Sequence, residues 1–75
     1  MNAARRKKIA TCISGLSDIR ETLENIMEEE QEAFDNLPEG IQDSDRGQKF
    51  TDAIENLEEA VDEIDSVVFS LESIE

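Results

Sequence analysis

Histidine, tryptophan and tyrosine are absent from this 75-residue sequence, cysteine and proline occur once each, and glycine three times. Each absence removes a class of function. Without histidine, general acid–base chemistry at neutral pH would fall to a carboxylate with a displaced pKa, which requires a pocket. Cys12 is the sole thiol, so no internal disulfide framework exists. Cys12, Ser14 and Ser17 have no base at a useful spacing and read as ordinary helix surface and seam, so no enzymatic activity is expected. No charge-free apolar run approaches the roughly 18 residues of a membrane span. The basic opening is followed by polar residues where a secretory signal would continue apolar. A cytoplasmic location without membrane contact is expected. The segment Asp43-Ser44-Asp45-Arg46-Gly47 invites comparison with a calcium loop. Counting from Asp43, however, the sixth and twelfth positions are Gln48 and Ile54, where such a loop needs glycine and a bidentate glutamate. That segment reads as a helix-capping turn, and neither metal nor cofactor is expected.

Acid is abundant: twenty Asp and Glu oppose seven Lys and Arg, for a formal net charge of -13, alongside 37% apolar residues. At this charge density a random arrangement would stay disordered, but the arrangement is not random. Ile9, Cys12, Leu16, Ile19, Leu23, Ile26, Ala33 and Leu37 fall on the a and d positions of a seven-residue frame, interrupted only by Glu30. Ile13, Met27 and Phe34 fall at e, with Arg20 the exception. A second frame runs through Phe50, Ala53, Leu57, Ala60, Ile64, Val67, Leu71 and Ile74, with Ile54, Val61 and Val68 at e. Two amphipathic helices of one design are predicted.

Pro38 disfavours the helical conformation at Leu37, so the first helix is expected over about 3–37, followed by a loop over 38–44 and a second helix over about 45–74. Asp45 with Gln48 three residues on resembles a capping box. Ile41 is expected to fold back on Phe34 or Phe50. So short a loop favours antiparallel neighbours, in a register that pairs positions summing to about 81 and brings Lys49 or Arg46 to Glu30. The fold class is thus all-α, an antiparallel, coiled-coil-like helical hairpin. A domain of this size buries only roughly 60% of its unfolded surface, and the widened a/d/e stripe exceeds what one neighbouring helix covers. A homodimer forming a four-helix bundle is therefore expected, through Leu16, Ile19, Leu23, Ile26, Phe50, Leu57, Val61, Ile64, Val68 and Leu71.

Charge is segregated along the chain. Residues 1–20 hold Arg5, Arg6, Lys7, Lys8 and Arg20 against Asp18, whereas residues 21–75 hold nineteen acids against Arg46 and Lys49. Solubility does not demand so high a density, and self-repulsion costs stability, which points to a use. Outward positions Glu28, Glu29, Glu32 and Asp35 on the first helix are candidate partner-binding residues. On the second helix the candidates are Asp52, Glu55, Glu58, Glu59, Asp62, Glu63 and Asp65, with Phe69 as an apolar anchor among them. Arg5, Arg6, Lys7 and Lys8 are an alternative anion-binding set. In an antiparallel hairpin they come near Glu72 and Glu75, and internal or intersubunit pairing is the preferred reading.

Three stretches, Glu28 through Glu39, Ser44 through Gly47 and Ala53 through Ala60, resemble small acidic proteins encoded by bacteriophages and prophages of Gram-positive bacteria. They lie within residues 28–60, a span of roughly half of the chain; Phe34 through Gly47 is the more distinctive part, and the basic N-terminal quarter lies outside. The resemblance implies a viral origin and a helical-hairpin fold. As a class such proteins look like inhibitors of host nucleic-acid-handling or defence proteins. The expected function is accordingly inhibition of a host protein with a basic or nucleic-acid-binding surface, by DNA mimicry and without direct nucleic-acid binding. The alternatives are a structural or adaptor bundle, or a sponge for a small anionic ligand.

Overall fold

The computed structural model describes all residues from Met1 to Glu75. Two long helices, α1 (Ala3–Asp35) and α3 (Asp45–Glu72), pack side by side and antiparallel, joined by a single-turn helix, α2 (Glu39–Gln42). The molecule measures 58 × 15 × 11 Å, with a radius of gyration of 17.3 Å, against about 11 Å for a compact domain of this length. It is a rod.

Local chemistry sets the helix ends. The Asn2 side-chain oxygen accepts from the Arg5 N–H at 2.9 Å, capping the start of α1. α1 stops at Asp35, with Asn36 closing its last turn, because the Pro38 ring disfavours the helical conformation at Leu37; Pro38 itself stands at φ -56° and ψ 146°. Instead of running irregularly, residues 39–42 wind into one helical turn. Its Gln42 side-chain amide then lies 3.1 Å from the Phe34 carbonyl oxygen and 3.2 Å from that of Leu37, satisfying acceptors that the end of α1 leaves open. The expected capping box does not form. Ser44 precedes α3 but donates its hydroxyl to the Ile41 carbonyl, and Gln48 reaches forward to Asp52 at 2.8 Å.

Only two residues are buried, Gly47 and Val61, and no side chain is fully enclosed. The seam between α1 and α3 is built from half-buried a and e residues: Ile9, Ile13, Leu16, Leu23, Met27 and Phe34 on one side, Phe50, Ile54, Leu57, Ile64, Val68 and Leu71 on the other, around Val61. At the tip the Phe34 and Phe50 rings meet with centroids 6.5 Å apart and planes tilted by 45°, within the favourable range for aromatic pairs. Ile41 is half-buried. The facing pairs Phe34–Phe50 and Arg20–Asp65 lie about one helical turn off the register expected from loop length. The first turn of α3 packs on α2 at Gly47, so helix-to-helix pairing starts only near Phe50. Glu30 consequently misses Lys49 and Arg46: it is half-buried and makes no salt bridge.

Candidate interaction surfaces

The two broad faces of the rod have different chemistry, and the helical period shows why. When the seam is centred on a and e, positions b and f turn toward one side of the hairpin and d and g toward the other. Two antiparallel helices are related by a twofold axis perpendicular to their common plane, so equivalent positions of both emerge on the same side. The b and f positions carry Glu21, Glu24, Glu28, Asp35, Glu55, Glu58, Asp62, Asp65 and Glu72 against a single base, Lys7. The d and g positions carry only Glu29 and Glu63 against Arg5, Lys8, Arg46 and Lys49. In a protein of net charge -13, one face is thus near -8 and the other near +2.

Arg20 crosses the acidic face. Its Nε donates to Asp65 Oδ1 at 2.6 Å and its Nη2 to Asp65 Oδ2 at 3.2 Å, while Nη1 holds Glu24 on the same helix. This bidentate fork fixes α1 against α3 near mid-rod. The hydrogen bond to Asp65 pushes the pKa of Arg20 upward, with the neighbouring charges of Asp65, Glu24 and Asp62 adding to the effect against some desolvation. The guanidinium is therefore a permanent charge.

All eleven acidic candidates are exposed. Asp65 is held by Arg20, Asp35 accepts from Gln31 at 3.0 Å, and Asp52 accepts from Gln48. Glu28, Glu29, Glu32, Glu55, Glu58, Glu59, Asp62 and Glu63 have no side-chain partner and face solvent. Phe69, an f residue one turn beyond Asp65, is 73% exposed.

Of the ten self-association candidates, Leu16, Leu23, Phe50, Leu57, Val61, Ile64, Val68 and Leu71 lie in the seam of the single hairpin. Ile19 and Ile26, both d residues, stay 52% and 40% exposed. Periodicity groups these ten together; which a, d or e residues remain free depends on how far each helix rolls about its axis. Val67, 47% exposed on the same side, belongs with Ile19 and Ile26 and was not among the candidates.

Arg5, Arg6, Lys7 and Lys8 fan around α1, as consecutive helical residues must at about 100° each. The expected pairing with acidic side chains at the C-terminal end is limited. Arg6 Nη2 donates to the backbone oxygen of Glu75 at 2.8 Å, and none of the four bases forms a salt bridge with Glu72 or Glu75. Beside Arg6, an open groove is lined by Ile9, Ile13, Leu71, Glu72 and Ile74. No cluster of residues suited to holding a metal ion occurs, and no helix is long and apolar enough to cross a membrane.

No family model, curated protein or solved structure matches the chain. Function has to be read from surface geometry and charge.

Proposed function

We propose that this chain is a phage-encoded inhibitor that binds a host protein handling nucleic acid or serving defence, presenting acid where that protein expects phosphate. The observation that carries the reading is the b/f face: nine carboxylates, two of them held by Arg20, against Lys7 on a rod 58 Å long. Duplex DNA of that length carries about 34 phosphates. Two copies of the chain would carry twice -13 over a similar length, a comparable density on a scaffold too stiff to collapse around its target. Viral origin rests on the resemblance of the tip segment to small acidic phage proteins. The chain is further proposed to act in the host cytoplasm as a homodimer in a four-helix bundle, binding its target without catalysis or cofactor and without touching nucleic acid or membrane directly.

Phe69 suits this reading as an apolar anchor within an acidic rim, because a desolvated aromatic controls dissociation while peripheral charge controls encounter. The test is capture from a bacterial host lysate with duplex DNA as competitor, comparing wild type with a variant carrying Glu55→Gln, Glu58→Gln, Glu59→Gln, Asp62→Asn and Asp65→Asn. Helix content is expected to persist, while captured protein should bind at least about tenfold more slowly and with a shallower salt dependence. Phe69→Ala is expected to shorten residence time and leave the association rate nearly unchanged. Undiminished binding by the neutralised variant, with loss on deleting residues 1–8 from a still helical protein, would transfer the site to the basic end.

A further inference from the structure

The d/g face is the one broad side of the rod on which acid does not accumulate. Its middle is apolar, with Ile19, Ile26 and Val67 each at least 40% exposed. Of the flanking g positions, Gly15, Thr22, Asn56 and Ser70 are uncharged, while Glu63 beside Val67 and Glu29 beside Ile26 are the two acids on this face; another backbone can approach most closely at Gly15, Thr22 and Ser70. The chain exposes 5689 Å², whereas a folded monomer of its mass exposes about 4,600 Å². The excess, about 1,100 Å², follows from the rod shape, and covering the roughly 800 Å² that each partner contributes to a stable interface would remove most of it. A face this long, this weakly charged and flanked by helices of one design is complementary to itself.

We infer that a second copy of the chain docks on this d/g face head to tail, with its hairpin tip beside the open end of the first. This deepens the self-association part of the reading above and is independent of the acidic-mimic part. Charge selects the orientation. In the half of the rod nearest the open end, residues 1–19 and 65–75, Arg5, Arg6, Lys7 and Lys8 balance Asp18, Asp65, Glu72 and Glu75. The tip half, residues 20–64, holds sixteen acids against Arg20, Arg46 and Lys49 and so carries the entire net charge of -13. Docking with tips together would lay one such half along another. Docking head to tail lays each against a balanced half, which removes the largest like-charge product. Both b/f faces then point outward on opposite sides of the bundle, free for partners.

Two measurements test this without any host protein. Sedimentation equilibrium at tens of micromolar is expected to give a dimer, weakened at least about hundredfold by Ile19→Glu with Ile26→Glu, which place two carboxylates in an apolar contact, and unchanged by Ser14→Glu with Ser17→Glu, the same added charge at exposed positions of the opposite face. Because a charged residue could also unfold the hairpin, orientation is read separately on an intact seam. A spin label at Glu39→Cys in a Cys12→Ser background should report tips about 50 Å apart, the length of the long helices. A monomeric wild type, a dimer indifferent to the two isoleucines, or tips within about 25 Å, as neighbouring helix ends would place them, each overturns the inference. Retained capture of a lysate protein by the Ile19→Glu, Ile26→Glu variant would leave the acidic-mimic reading standing while the dimer reading fell.

Discussion

Glu30 sits where the seven-residue frame calls for an apolar side chain, half-buried in the seam and without a basic partner. Such a carboxylate loses part of its hydration and gains no ion pair in return. Replacing it with leucine should extend the seam toward Phe34 and raise stability by about 1 kcal/mol, the value of roughly half a buried aliphatic side chain. The urea midpoint measures this at constant protein concentration, and an unchanged midpoint would mean that Glu30 keeps its hydration. Arg20 interrupts the same stripe with a different outcome. Its fork on Asp65 satisfies the charge across the groove, but the pair stays open to solvent, which screens it and leaves it little effect on stability. Its main effect is geometric, since one guanidinium gripping two oxygens of one carboxylate resists sliding of α1 along α3.

α2 is four residues long, yet it sets the geometry of the tip. The carbonyl oxygens of Ile41 and Gln42 press against the first turn of α3 at Gly47, where a Cβ would collide with the Gln42 carbonyl and stand 2.7 Å from the Ile41 oxygen. No glycine in the chain has positive φ, so the requirement at Gly47 is space and not backbone conformation. At Gly40, within α2, a Cβ would meet nothing within 4 Å. The same substitution should therefore act in opposite directions. Gly40→Ala is expected to stabilise by about 0.5–1 kcal/mol through helix propensity. Gly47→Ala is expected to cost about 1–3 kcal/mol as the tip is forced apart, with Gln42 losing its hold on the end of α1. Thermal melting of the two variants side by side measures the contrast, and equal effects would mean that α2 does not pack on α3 in solution.

A rod only 11 Å thick in its smallest dimension cannot enclose a core. The two associations proposed for its surface would respond to salt with opposite sign. Association with a basic partner through the b/f face is driven by attraction and should weaken as salt rises. Association of two chains, each of charge -13, is opposed by repulsion and driven by apolar contact at the d/g face, so it should strengthen. Dimer dissociation constants between about 50 and 500 mM salt, where the Debye length falls from roughly 14 to 4 Å, are expected to drop severalfold while partner affinity falls. A dimer that dissociates as salt rises would place its cohesion in ion pairs and remove the distinction between the faces.

Periodicity, a lone proline and the run of acid were enough to read two helices, their antiparallel arrangement and the outward placement of the charged positions, because each of these follows from local propensity and a repeat of seven. Partial burial of Ile41 was legible for a related reason: an apolar residue in a polar loop has few places to go. The turn of α2 was not legible, since Glu39-Gly40-Ile41-Gln42 is too short to carry a period and contains a glycine. The register followed α2 out of reach, and with it the isolation of Glu30. Separation of the acid into a face near -8 and a face near +2 was likewise hidden. An a/d/e stripe leaves open whether the seam is centred between a and d or between a and e. That choice was made when the Phe34 and Phe50 rings, the Arg20 fork and the close approach at Gly47 set the roll of the two helices, through tertiary contacts that no local pattern encodes.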